Sequence, residues 1–290
     1  MRVYKVCRKL DAFLDNPERL SLRYTHIVSS LLMGLFFVVA VPGLADSKIE
    51  NSAVKSHFIR AIDYYLKKQY RKAIEEASVV IRLNPRYADA YVERGNSYDA
   101  IGNHSRAIAE YSRAINIDAR NAEAYFNRGG TYAILSDNSK AITDLSKAIK
   151  VNPKYYKAYY IRGLVNDKMA RPTQSIADYT MAITINPNYA EPFYSRGLIY
   201  SITGDYPRAI ADYTRAIKIN LQYEDAYHNR AIIYSDMGKY AQAIDDITKA
   251  IKLNPNKSKN YNVRALVYEK LGDHSRALTD YATAKKLEAK

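Results

Sequence analysis

The chain is predicted to be all-α, built as seven stacked helical hairpins that run to its C-terminus. Three observations predict it. A 34-residue pattern recurs in phase from Val54, Ala88, Ala122, Tyr156, Ala190, Glu224 and Ser258, with no insertion between copies. Within a copy, small and large residues return twice at i, i+4 and i+7, as Tyr125, Gly129, Tyr132 and then Ala141, Leu145, Ala148, a spacing that places each set on one helix face. An isoleucine column at Ile81, Ile115, Ile149, Ile183, Ile217 and Ile251 ends in Lys285, where no further copy follows to bury it.

The first element is a leader over residues 1–45. Arg2, Lys5, Arg8, Lys9, Arg19 and Arg23 precede the uncharged run Ile27–Val41, and Gly43 and Ala45 are small enough for a signal-peptidase site. The run has 15 residues, short of the roughly 20 needed to span a bilayer. It is therefore read as a signal peptide cleaved after Ala45, with a retained signal anchor as the alternative, because 26 residues ahead of the run make a long leader. Asp11, Asp15 and Glu18 argue against a mitochondrial presequence. The expected location is exported, periplasmic or secreted, or else single-pass membrane-anchored. Residues 46–53 are expected to be a short linker.

The hairpins then occupy 54–87, 88–121, 122–155, 156–189, 190–223, 224–257 and 258–290. In the third, "SDN" joins the two helices, and the paired small residues let them approach while the large ones fill the gap. The second helix also carries Ile142, Ile149 and Val151 off its stripe. A hairpin cannot cover these itself, so the next copy must. Pro85, Pro153, Pro187 and Pro255 close four second helices; Ala119 and Leu221 replace the proline in two others, whose ends are expected to be less sharply broken.

A two-helix unit of this length, with small-large alternation and "NP" after the second helix, resembles the tetratricopeptide repeat. The resemblance covers Val54 to the C-terminus. It implies a right-handed superhelical solenoid of seven helix-turn-helix hairpins, with first helices lining a concave groove that holds a peptide or protein partner and second helices outside. Departures are modest: Tyr91, Tyr125, Tyr159, Phe193, Tyr227 and Tyr261 replace the usual tryptophan, with His57 in the first copy.

An arginine column (Arg60, Arg94, Arg128, Arg162, Arg196, Arg230, Arg264) stands where the family more often has an aliphatic residue. An acidic column (Glu76, Glu110, Asp144, Asp178, Asp212, Asp246, Asp280) precedes the large residue of each second helix. Isolated charges beside a packed seam are costly, and guanidinium suits bidentate contact with carboxylate, so the columns are expected to pair as a ladder.

Nothing in the sequence assembles a catalytic centre. The histidines His26, His57, His104, His228 and His274 lack the spacing of a metalloprotease helix, no glycine-rich phosphate loop is present, and the single Cys7 leaves no cysteine-based metal site. No enzyme activity, cofactor, metal or small-molecule substrate is expected. The formal charge of +14 sits with 28 tyrosines and 48% apolar residues, a packed protein and not a basic tail. Nucleic acid is not expected as a partner, since the tyrosines largely occupy packing sites instead of a stacking platform.

That leaves surfaces. Residues one step beyond the seam of the first helices are expected to face the groove. The candidates for partner binding are Phe126, Ile134, Tyr160, Leu164, Tyr194, Leu198, Ile202 and Ile232, an apolar centre suited to a peptide anchored by large side chains. On the second helices, Lys140, Lys147, Lys150, Arg208, Arg215 and Lys218 form stripes that Arg106, Arg113, Lys249 and Lys252 continue. This outer ridge suits an anionic membrane surface or envelope polymer, or serves as a solvated face.

Overall fold

The computed structural model describes residues 44–289. The apolar run Ile27–Val41 and the rest of the expected leader up to Gly43 lie outside the described residues. Fourteen helices fill the described chain, with no strand among them: α1 (Leu44–Leu66), α2 (Tyr70–Leu83), α3 (Ala88–Ala100), α4 (His104–Ile117), α5 (Ala122–Ile134), α6 (Asn138–Val151), α7 (Tyr156–Lys168), α8 (Pro172–Ile185), α9 (Ala190–Ile202), α10 (Tyr206–Ile219), α11 (Glu224–Asp236), α12 (Tyr240–Leu253), α13 (Ser258–Lys270) and α14 (His274–Glu288). From the second copy on, every first helix starts on the residue at which the 34-residue pattern restarts. Residues 46–53, expected as a linker, are helical instead: α1 runs unbroken from Leu44 because no proline or glycine interrupts it.

The chain forms two compact units, one ending at Ala170 and one beginning at Arg171. In the first, α1–α2, α3–α4 and α5–α6 are packed hairpins; α2, α4 and α6 each pack on the following first helix, and α1, α3, α5 and α7 touch in succession. The second unit repeats this with hairpins α9–α10, α11–α12 and α13–α14, with α8, α10 and α12 against the next first helix and α9, α11 and α13 in a row.

Helix ends follow from side chains already visible in the sequence. Asn103, Asp137, Asp205 and Asp273 cap second helices, each accepting from the backbone N–H three residues on. The residue two before each of Asn103, Asp137 and their equivalents caps the preceding first helix, and the one between lies in the left-handed region: Lys68, Gly102, Ser136, Ala170, Gly204, Gly238 and Gly272 have φ from 55° to 81°. Second helices stop at Asn84, Asp118, Asn152, Asn186, Asn220 and Asn254, all with extended φ. Here the expectation for Ala119 and Leu221 fails. Asp118 and Asn220 each accept from the N–H two residues on, at 2.8 and 3.0 Å, as Asn152 does at 3.1 Å ahead of its proline. The Asx turn, not the proline, ends these helices.

Close helix approach accounts for the seam glycines. A Cβ on Gly129 would lie 3.0 Å from Leu145 Cγ and 3.2 Å from the Leu145 backbone nitrogen, and one on Gly95 or Gly197 would strike the ring of Tyr111 or Tyr213 at 2.6 or 2.9 Å. The adjacent Gly130 has nothing within 4 Å of such a carbon.

The arginine ladder forms. Arg128 donates from Nε and Nη2 to the two carboxylate oxygens of Asp144 at 2.7 and 2.9 Å. Arg196–Asp212, Arg230–Asp246 and Arg264–Asp280 repeat this bidentate geometry, while Arg94 reaches one oxygen of Glu110 with two donors and Arg60 shares Glu76 with His57. The third donor goes to the preceding hairpin. Nη1 of Arg94, Arg128, Arg162, Arg196, Arg230 and Arg264 reaches the hydroxyl of Ser78, Ser112, Ser146, Thr180, Thr214 and Thr248, each sixteen residues back, at 2.7 to 3.4 Å. Arg94, Arg128, Arg196, Arg230 and Arg264 therefore each join their own second helix to the previous one. The sequence carries a signal for this in the Ser/Thr column at Ser78, Ser112, Ser146, Thr180, Thr214 and Thr248, which gives way to Ala282 in the last copy.

The isoleucine column is buried at Ile115, Ile217 and Ile251 and half-buried at Ile81, Ile149 and Ile183, whereas Lys285 is exposed. The terminal face is not wholly polar, since Leu278 is 69% exposed where its equivalents Ile210 and Ile244 are half-buried.

Candidate functional site

The first helices carry the eight expected docking residues, and these divide by exposure. Phe126, Tyr160, Leu164 and Tyr194 are buried, at 3 to 6% exposure. Ile134, Leu198 and Ile232 are half-buried, and Ile202 is 55% exposed.

Two of the buried aromatics, Phe126 and Tyr194, pack against the tyrosine that opens the next hairpin. The Phe126 ring lies 4.7 Å from that of Tyr155, and Tyr194 stacks on Tyr223 with centroids 4.9 Å apart. Phe58 meets Tyr87 edge-on at 5.1 Å. Such pairs add about 0.5–1.5 kcal/mol beyond their area, so these side chains hold successive hairpins together. Tyr194 is further tied by Asn229, whose amide donates to its hydroxyl at 2.7 Å, and burial pushes its phenol above the ordinary range. The signal that would have revealed this role is the tyrosine column itself, Tyr87, Tyr155, Tyr189 and Tyr223, in phase with the repeat.

At two junctions the tyrosine is replaced and the contact becomes polar. Asn121 donates to Asp89 at 3.2 Å. Lys257 donates to Glu224 and Asp225 at 2.6 and 2.9 Å, beside a bond of 2.7 Å between His228 Nδ1 and Asn260 Oδ1. Between α3 and α5, Asp99 accepts from Thr131 at 3.1 Å, and it pairs with His104 at 2.7 Å; burial raises its carboxyl above the ordinary value despite these partners.

What remains accessible is a stripe one turn further along the first helices. In the second unit it runs through Leu198, Ile232 and Leu266, with Ile202 beside it; Leu266 is 49% exposed. Sequence reasoning placed three of these and missed Leu266, although it stands 34 residues after Ile232. Asp236 and Lys270 flank the stripe, 3.7 Å apart, and Lys270 also donates to Ser235. In the first unit the equivalent sites are the buried Ile62 and Leu164 and the polar or small Asn96 and Gly130, and Asn96 accepts from both Tyr111 and Asn127.

The outer cations also divide. Lys140 and Arg208 pair with the helix-capping Asp137 and Asp205, and Arg113 pairs with Glu110 at 3.2 Å. Arg106 and Arg208 lie over the rings of Tyr98 and Tyr200, Lys147 lies over that of Tyr125, and Arg215 lies over that of Phe193. Lys150, Lys218, Lys249 and Lys252 are exposed and make no ion pair among the described residues.

Among the described residues, no three His, Cys, Asp or Glu side chains gather as metal ligands, and no helix is long and apolar enough to cross a membrane.

Family models described as tetratricopeptide repeat match residues 122–155, 156–189, 179–211, 224–257 and 258–290, and one described as TPR repeat matches 95–133 and 199–238. No match is found among curated proteins. Solved structures with this fold include YrrB, "a TPR protein with an unusual peptide-binding site", 22% identical over 65% of this chain and 97% of that one, with a TM-score of 0.55. MamA is 28% identical over 57% of this chain and 96% of its own, with a TM-score of 0.53. Pseudomonas aeruginosa pilF is 17% identical over 75% and 99%, with a TM-score of 0.68.

Proposed function

Because the chain belongs to the tetratricopeptide repeat family, whose hairpin arrays act as interaction scaffolds, we propose that it binds a peptide or protein segment on its inner row of first helices and performs no chemistry of its own. The docking centre is the second unit's stripe of Leu198, Ile202, Ile232 and Leu266. One observation carries this reading: the neighbouring large residues are consumed by packing between hairpins, whereas this stripe keeps apolar surface open to a partner. Apolar anchors within a polar rim are the arrangement from which binding hot spots are made, and Asp236 and Lys270 supply such a rim. Partners are expected from the cell envelope, because the basic leader and its apolar run direct the chain to export or to a membrane anchor.

The test places a photo-crosslinking amino acid at Ile202 and at Leu266, identifies the adducts formed in cells, and repeats the capture with an Ile202→Glu, Leu266→Glu double variant. Loss of the adducts from a variant with unchanged helicity supports docking here; capture of the same partners by that variant would refute it. Cell fractionation with N-terminal sequencing of the recovered chain decides between cleavage after Ala45 and retention of the anchor, and recovery in the cytosolic fraction alone overturns both.

A second reading rests on the four unpaired lysines Lys150, Lys218, Lys249 and Lys252, which suit an anionic membrane or polymer. Binding through them weakens steeply with ionic strength, whereas docking on the apolar stripe tolerates salt.

A further inference from the structure

The junction between α11 and α13 is held differently from its neighbours. Where the preceding junction stacks Tyr194 on Tyr223, this one has His228 facing Lys257 and Asn260. The imidazole Nδ1–H donates to Asn260 Oδ1 at 2.7 Å, the Asn260 amide donates to Glu224 Oε1 at 2.9 Å, and Lys257 bridges Glu224 Oε2 and Asp225 Oδ1. Asn260, at the centre, is fully buried. The network spans both helices, so it can stay whole only while they are docked.

We propose that this network is an acid-sensitive latch, closed while His228 is neutral and loosened when the imidazole takes up a proton, so that acid weakens the docking of hairpin α13–α14 on hairpin α11–α12. The charges around His228 support this. From α11 come Glu224 and Asp225, both already bonded to Lys257; from the start of α13 come Lys257, a cation, and Asn260. Tyr194 of α9 stacks on Tyr223 just ahead of α11, and Asp212 of α10 and Asp246 of α12 are bound by Arg196 and Arg230. A second positive charge beside Lys257 in a half-buried site therefore finds no carboxylate without a partner.

The same features set the direction of titration. Burial first, with Lys257 adding to it, holds the imidazole below its ordinary value of 6.5, despite the opposing pull of Glu224, Asp225 and the Asn260 bond. An undocked His228 takes a proton near that ordinary value, while the docked one resists. Docking is at full strength above about pH 6.5 and declines as the pH falls from there towards the lowered value.

Hydrogen exchange followed by mass spectrometry, corrected for the intrinsic rate at each pH, tests this on the full chain. Between about pH 7.5 and pH 5.5, protection of α13 and α14 should fall relative to that of α9 and α10, by at most roughly tenfold per pH unit. In a His228→Gln variant, which keeps a side-chain amide donor, the fall should vanish. Protection that ignores pH, or a fall that persists in the variant, would overturn the latch. The imidazole can also be titrated directly by NMR in the unmodified chain, and a midpoint at or above 6.5 would be equally fatal.

Discussion

Removing one member of the Arg128–Asp144–Ser112 set tests how much of the array's cohesion lies in the ladder. The Asp144 side chain is 7% exposed and that of Arg128 19% exposed, so the carboxylate is nearly withdrawn from water while the guanidinium keeps a wet edge. Breaking a buried pair costs about 3–5 kcal/mol and an exposed one under about 1 kcal/mol. Arg128→Leu strands the drier partner and should cost about 3 kcal/mol. Asp144→Ala strands the wetter one, still bonded to Ser112 at 2.8 Å, and should cost about 2 kcal/mol. Ser112→Ala removes one charge-assisted bond, worth about 1 kcal/mol. Urea denaturation followed by circular dichroism, with hydrogen exchange of α5 and α6 to guard against uncoupled hairpins, measures all three. The Arg128→Leu, Asp144→Ala double variant should lose less than the sum of the singles. Strict additivity, with each single below about 1 kcal/mol, would refute the claim that these pairs join the hairpins and would make them solvent-screened decoration.

Three further outcomes follow from the geometry. Gly129→Ala should destabilise by about 1–2 kcal/mol, because its Cβ would meet the Leu145 backbone, while Gly130→Ala should stabilise by about 0.5–1 kcal/mol through helix propensity alone; thermal melts of the two variants should move in opposite directions. Ser136→Gly and Ala170→Gly should each raise stability by up to about 1 kcal/mol, since both hold positive φ at a site where four other copies have glycine; an unchanged or lower melting temperature would remove that argument. Tyr194→Ala should cost about 3–5 kcal/mol as a core truncation, so loss of partner binding in it would reflect unfolding of the junction, checked by comparing its melt with that of Ile202→Glu.

Much of the fold was legible because repetition made each residue its own control. The isoleucine column marks a recurring interface site, and the arginine and acidic columns announce their pairing by keeping a constant offset. The third arm of the ladder was equally present, in Ser112 and its equivalents, but a hydroxyl has no obligatory partner and gives no electrostatic reason to look for one. The helix ends at Asp118 and Asn220 were misjudged because proline is the more conspicuous breaker, although the Asx side chain makes the turn. The candidate site was less legible. Helical periodicity assigns a residue to a face, yet Phe126 and Ile202 share a face and differ in whether a later tyrosine covers them, a long-range fact that spacing within one helix cannot carry.

That difference also explains why the docking stripe sits where it does. A hairpin array must bury large side chains between successive first helices to cohere, and any residue used so is withdrawn from a partner. Tyr155 and Tyr223 draw Phe126 and Tyr194 into cohesion. Leu198, Ile232 and Leu266 stand one turn further along and retain accessible apolar surface, whereas Leu164 in the same register is buried. Where Lys257 takes the tyrosine's place, cohesion passes from a stacked pair, indifferent to pH, to a hydrogen-bonded network containing an imidazole. Restoring the stack with a His228→Tyr, Lys257→Tyr double variant should therefore make the last junction pH-independent while leaving the stripe beside it unchanged. Exchange protection of α13 that still falls in acid would show that His228 is not the group responsible.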